Sequence, residues 1–177
     1  MAATNYESLK KRTRNISQAE IIEMFGGGPY KLNLGSGVNL QPDCINIDMI
    51  DPLHVKEGKY LQLDLEVARL PFPKGSVEEV IAAHVMEHLH NFPALMNELH
   101  RVMKPNGSLR IYTPCYPSPE AFQDPTHVRF FTTKTFEYFT KGQFLYEHVG
   151  KTYGLEGWQR RYQSVQNGWE LHVKMDR

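Results

Sequence analysis

Tyr30-Lys31-Leu32-Asn33-Leu34-Gly35-Ser36-Gly37 decides the fold. A short strand-forming run stops at two glycines, which let the backbone turn tightly and approach a ligand that a side chain would exclude. The same design recurs downstream. Strands are predicted at 44–47 closing on Asp48, at 60–63 closing on Asp64, at 79–83 closing on His84, and at 108–113 closed by Pro114. Between the last two, Phe92, Leu95, Met96, Leu99, Val102 and Met103 recur at helical spacing, which predicts a helix over 93–103. Asn91 suits its cap, Pro93 its first turn, and Lys104-Pro105-Asn106-Gly107 its stop. Shorter helices are expected at 17–25, with Ser17 and Glu20 forming a capping box, and at 134–140, capped by Thr132 or Thr133.

The C-terminal segment changes period. Trp169, Leu171, Val173 and Met175 alternate with polar residues, as in a strand, and Asn167-Gly168 before them is a hairpin signal. The partner strand, about 157–165, is more polar and reads as an edge. Alternating strands and helices followed by a hairpin imply an α/β fold, its sheet mainly parallel with one antiparallel strand added. The link from Gly37 to Cys44 is too short for a crossover helix.

Parallel sheets bind ligands outside the carboxyl ends of their strands. The residues there are Gly35-Ser36-Gly37, Asp48, Asp64, His84 and the loop from Pro114 onward. Asp48 is placed to accept hydrogen bonds from both hydroxyls of a ribose. Asp64 is placed to accept from an adenine amino group, while the Leu65 amide donates to a ring nitrogen.

Length and composition narrow the partners. At 177 residues the chain fits one domain, read as 17–177 behind a polar tail at 1–16. Hydrophobic residues at 41% and charged residues at 23% argue against bulk disorder. Twenty basic residues balance twenty acidic ones, so neither nucleic acid nor an anionic membrane is favoured as a partner. No apolar run suits membrane insertion, and the polar N-terminus lacks the apolar core of a signal peptide, so a cytoplasmic protein is expected. Cys44 and Cys115 form no metal or redox pattern.

Leu32-Asn33-Leu34-Gly35-Ser36-Gly37 with Asn46-Ile47-Asp48 resembles the glycine motif and ribose-binding acid of class I S-adenosylmethionine-dependent methyltransferases. The stretch from Leu70-Pro71-Phe72-Pro73 through His84-Val85-Met86-Glu87-His88-Leu89, with Glu98-Leu99-His100-Arg101-Val102-Met103-Lys104-Pro105-Asn106-Gly107, resembles their type-11 group. Asp124-Pro125-Thr126-His127-Val128-Arg129 resembles a segment of small members associated with surface-sugar gene sets. The resemblance covers roughly 30–140. It implies a Rossmann-like three-layer sandwich with a seven-stranded sheet in the order 3-2-1-4-5-7-6. It implies S-adenosyl-L-methionine as cofactor (S-adenosyl-L-homocysteine as product), held by Asn33, Leu34, Gly35, Ser36, Gly37, Asp48, Met49, Asp64, Leu65 and His84. Two departures stand out: Asn39 occupies the place of the third glycine, and Asn33 that of the usual acid before the glycines.

Methyl transfer from a sulfonium needs alignment and exclusion of water more than a strong catalyst. The catalytic candidates are His84, expected in the middle of the cleft, and Asp124 with His127, expected as a base pair in which Asp124 orients the histidine ring. Tyr112, Tyr116 and Phe122 are candidates for the acceptor wall. The acceptor is expected to be a small molecule or a sugar. Rival readings are a non-catalytic subunit completed by a partner protein or a second copy, a nicotinamide-binding domain, and a zinc hydrolase built on His84-Val85-Met86-Glu87-His88, an H-x-x-E-H motif. The last is disfavoured because His84 ends a strand and the helix begins near Asn91. No metal is expected.

Overall fold

The computed structural model describes residues 16–50, 59–66 and 69–177. Of the polar tail expected at 1–16, residues 1–15 lie outside them. Among the described residues, seven strands form one sheet: β1 (Tyr30–Leu34), β2 (Ile45–Asp48), β3 (Tyr60–Gln62), β4 (Val77–Ala83), β5 (Met103–Pro114), β6 (Gln159–Gln166) and β7 (Glu170–Asp176). Their order is β3-β2-β1-β4-β5-β7-β6, as the resemblance implies. The first five are parallel; β7 runs antiparallel between β5 and β6. Asn167 and Gly168 both take positive φ, 51° and 76°, the backbone of a type I′ hairpin turn.

Central strands of a parallel sheet are covered on both faces, and β1 and β2 are buried almost throughout. Helix α1 (Gln18–Phe25) has the predicted capping box, with the Glu20 N–H donating to Ser17 Oγ at 3.2 Å and Ser17 N–H donating to the Glu20 carboxylate at 2.9 Å. Helix α2 (Phe92–Val102) buries Phe92, Leu95, Met96, Leu99 and Val102, the stripe read from the sequence. Each such side chain contributes about 1.5–3 kcal/mol through burial.

Between β3 and β4, Leu70-Pro71-Phe72 is clamped by α2. The Leu70 N–H donates to Glu98 Oε1 at 2.7 Å, and Arg101 Nη2 donates to the Leu70 and Phe72 carbonyls at 3.2 and 3.1 Å while pairing with Glu98 at 2.6 Å. The loop joining β1 to β2 contains no helix, as its length requires.

The helix ends at Val102, so Lys104-Pro105-Asn106-Gly107 marks its stop as expected; the chain bulges between Met103 and Ser108, with Asn106 at φ 62°, inside a β5 that already begins at Met103. Asn106 donates to the Arg177 carbonyl and Arg177 to the Gly107 carbonyl, so the C-terminus continues the ladder across this segment. Two expectations need correction. The segment at 134–140 is a 3₁₀ turn, Thr135–Phe139, that buries Phe136 and Phe139 three residues apart. Asn91 does not cap α2 with its own side chain. The Glu66 carboxylate accepts from the His90 and Asn91 N–H groups at 2.7 and 3.1 Å instead.

Candidate active site

A cleft of about 480 Å³ opens at the carboxyl ends of β1 to β4. Gly35, Asp48, Met49, Asp64 and Leu65, five of the residues expected to hold a cofactor, line it. Leu63, Val85, Leu89 and Val128 complete its apolar walls.

Gly35 turns the chain at φ 60°, and a Cβ there would lie 2.5 Å from Val85 Cγ2. Glycine is therefore required both by conformation and by the close approach of the segment after β4. Gly37, at φ 49°, donates its N–H to Asp48 Oδ2 at 2.8 Å, and Ile50 N–H donates to Oδ1 at 3.0 Å. Asp64 Oδ1 accepts from Glu66 N–H at 2.9 Å. Both aspartates are nearly buried, at 9% and 8% exposure. Their protein donors are backbone amides, and a carboxylate oxygen carries two lone pairs, so each keeps capacity for a ligand's O–H or N–H groups. Ser36 Oγ, in the glycine turn, is buried without a hydrogen-bond partner among the described residues.

The other expected residues lie elsewhere. Leu34 is in the core. Asn33 is buried and donates through Nδ2 to Asn46 Oδ1 and to the Asn39 carbonyl, each at 2.9 Å. Asn46 in turn accepts from the Gln41 N–H at 2.8 Å and donates to the Gln41 carbonyl. This amide network is what holds the short helix-free loop, so the two departures from the family pattern, at positions 33 and 39, are one structural device.

His84 does not reach the cleft lining. Its Nε2 lies 2.7 Å from Glu170 Oε1, its Nδ1 3.4 Å from Glu87 Oε1, and its ring stacks on Trp169. The Glu87 carboxylate, then Glu170, raise its pKa above the ordinary histidine value against the opposing effect of burial. Nε2 is hydrogen-bonded to Glu170, and Nδ1 lies at ion-pair distance from Glu87. Met86–His88 is a 3₁₀ turn, not the regular helix that the H-x-x-E-H reading needs.

Asp124 and His127 do not form the expected dyad. Asp124 Oδ1 accepts from the Thr126 O–H at 2.7 Å and N–H at 2.8 Å, which hold its carboxyl below the usual range. His127 Nδ1 lies 2.9 Å from the Ala121 carbonyl. Tyr116 and Phe122 are exposed; Tyr116 packs on Phe122 and Phe122 on Phe130, whereas Tyr112 packs edge-on against His172.

Sequence reasoning missed His88 and Thr126, which line the cleft together. Thr126 Oγ1 lies 3.0 Å from His88 Nδ1. The loop that carries Thr126 is pinned by Val128 and Arg129, whose N–H groups both donate to the Glu87 carbonyl, at 2.9 and 3.0 Å. Its far end returns to the sheet where Cys115 bridges Phe131. The motifs on which both residues sit were visible; their meeting across 38 positions was not.

The strand order, the glycine turn and the cleft at the switch between β1 and β4 define the class: a Rossmann-like α/β fold with a ligand site at the carboxyl edge. Residues 36–111 match the family model described as a methyltransferase domain. A probable S-adenosylmethionine-dependent methyltransferase of Mycolicibacterium smegmatis is 29% identical over 98 residues, 54% of this chain and 38% of the relative. The match thus spans well under half of that relative's length. A methyltransferase structure from Archaeoglobus fulgidus superposes with TM-score 0.61 at 16% identity, over 98% of this chain and all of the other. The 1,6-didemethyltoxoflavin-N1-methyltransferase of Burkholderia thailandensis, bound to its substrate and S-adenosylhomocysteine, gives 0.58 at 12% identity, over 90% and 76%.

Proposed function

We propose that the cleft binds S-adenosylmethionine and that the chain transfers its methyl group to a small-molecule or sugar-type acceptor. The observation that carries this reading is the pair of nearly buried carboxylates, Asp48 and Asp64, at the ends of adjacent strands above an apolar cleft. Asp48 suits the ribose hydroxyls, and its orientation is fixed by the Gly37 and Ile50 N–H groups. Asp64 and the Leu65 amide suit the adenine edge, with Met49 and Leu65 as apolar walls. The orphaned Ser36 Oγ fits a polar ligand close to the glycine turn.

When bound, the cofactor supplies a methyl group on a sulfonium, already activated for in-line displacement. The protein's part is to fix the donor, bring the acceptor oxygen or nitrogen into line and exclude water. His88 and Thr126, on the wall contributed by the segment after β4 and the 116–130 loop, are the polar groups placed to meet an acceptor.

Calorimetric titration with S-adenosylhomocysteine tests the reading. One site per chain is expected. Asp48→Ala, which removes hydrogen bonds to a charged acceptor, should weaken it about 10–100-fold. A folded protein that binds neither the methionine nor the homocysteine form would overturn it.

A further inference from the structure

His88, His127 and Glu87 come together at the edge of the cleft, and one donor atom from each lies within 4.8 Å of the other two. The hydrogen bonds around them assign the tautomers. His88 Nδ1 faces the Thr126 carbonyl at 3.4 Å and Thr126 Oγ1 at 3.0 Å. The hydroxyl already donates its proton to Asp124, so both oxygens act as acceptors and Nδ1 must carry the hydrogen. His127 Nδ1 faces the Ala121 carbonyl at 2.9 Å and must also donate. Each histidine is therefore left with an unprotonated Nε2. The rings meet nearly edge to face, with centroids 4.8 Å apart. Beside them stands Glu87, 1% exposed, whose Oε1 has no hydrogen-bond partner among the described residues while Oε2 accepts from Thr113 Oγ1 at 3.1 Å.

We propose that Glu87, His88 and His127 hold a divalent transition-metal ion at the wall of the cleft. Two imidazole nitrogens and one carboxylate favour zinc, cobalt, iron or manganese over magnesium or calcium. The surroundings are those that orient metal ligands: each histidine gives its other N–H to a backbone carbonyl or hydroxyl, and the carboxylate is steadied by Thr113 and by His84 at 3.4 Å. His84 stands outside the set, its Nε2 taken by Glu170 at 2.7 Å. The donor set joins the turn after β4 to the Asp124–His127 loop. Three protein ligands leave positions open, and His88 and Thr126 place them toward the cleft. Resting on the function proposed above, the acceptor class is then a hydroxyl. The ion lowers its pKa and its proton leaves to water. The oxygen takes the methyl group as the sulfur–carbon bond breaks, and the sulfur departs as a neutral thioether.

The test uses the full chain, stripped with chelator and titrated with Zn²⁺ by calorimetry and with Co²⁺ by visible absorption. One equivalent of each is expected, with cobalt bands of nitrogen and oxygen coordination. His127→Asn and Glu87→Gln should each weaken binding by more than about 100-fold, beyond the range seen when only a supporting residue is lost. His90→Ala, in the cleft but outside the cluster, should bind as the parent does. A folded parent that takes up no stoichiometric Zn²⁺ overturns the proposal. So does undiminished binding in His127→Asn, or equal loss in His90→Ala. Titrating the same metal-free protein with S-adenosylhomocysteine reads the cofactor site separately: its failure with Zn²⁺ retained removes the hydroxyl-transfer role and leaves the ion site.

Discussion

At the scale of single residues, position 33 shows how a departure from a family pattern can be structural. An acid is usual before the glycines, and here an asparagine donates both of its N–H bonds to oxygens, Asn46 Oδ1 and the Asn39 carbonyl. Asn33→Asp would face those acceptors with a carboxylate that has no hydrogen to give. Asn46 Oδ1 keeps only the Gln41 N–H, the Asn39 carbonyl loses this donor, and a buried charge is added, which should cost about 3 kcal/mol at neutral pH and less near pH 4, where the acid can protonate. Urea unfolding at the two pH values measures this; a change under about 1 kcal/mol at neutral pH would refute the network's role. The same reasoning separates Asp48 from Asn33. Both were read as cofactor residues, yet only Asp48 keeps free lone pairs at the cleft.

At the scale of elements, the Glu98–Arg101 pair on α2 fixes the Leu70–Phe72 segment on the way from β3 to β4. Arg101→Met keeps most of the apolar stem but leaves the Glu98 carboxylate and two carbonyls short of a donor. A loss of about 2 kcal/mol is expected, below that of a fully buried pair because the guanidinium is one-fifth exposed. Glu98→Gln keeps its carbonyl as acceptor for Leu70 and should lose less. Equal losses in the two variants would contradict the clamp. Elements of this kind mark the limit of what the chain reveals. Strand ends at Gly35, Asp48 and Asp64 were legible because period and turn chemistry are local, and so was the hairpin at Asn167-Gly168. The capping of α2 by Glu66 was not, since it joins residues 25 apart. Nor was the placement of His84. Its position after β4 was readable, but its left-handed backbone at φ 51° and the pull of Glu87 and Glu170 send the ring away from the cleft. The acceptor side is built from two loops, and only the fold sets them face to face.

At the scale of the whole molecule, α2 must stay docked beside the C-terminal hairpin, and His100 sits in that contact. Its ring packs edge-on against Trp158, wholly buried just before β6, and its Nε2 is buried without a hydrogen-bond partner. Burial lowers the His100 pKa, only partly offset by Glu156 at 3.7 Å. The sign follows from which state takes the proton. An unfolded histidine titrates near the ordinary value of about 6.5. Below that pH the unfolded chain gains a proton that the folded chain resists, so stability falls from about pH 6.5 down toward the depressed folded pKa, and above it this residue imposes no pH dependence. His84, with its raised pKa, works in the opposite sense, so the wild-type curve alone is no test. The informative quantity is the difference between the wild type and His100→Gln, which is neutral throughout. The urea midpoint of the variant should drop less between pH 7.5 and pH 5.5 than that of the wild type. Parallel drops in the two proteins would mean that His100 ionises without cost in its pocket, and that the α2 contact with Trp158 opens to water before the rest of the fold is lost.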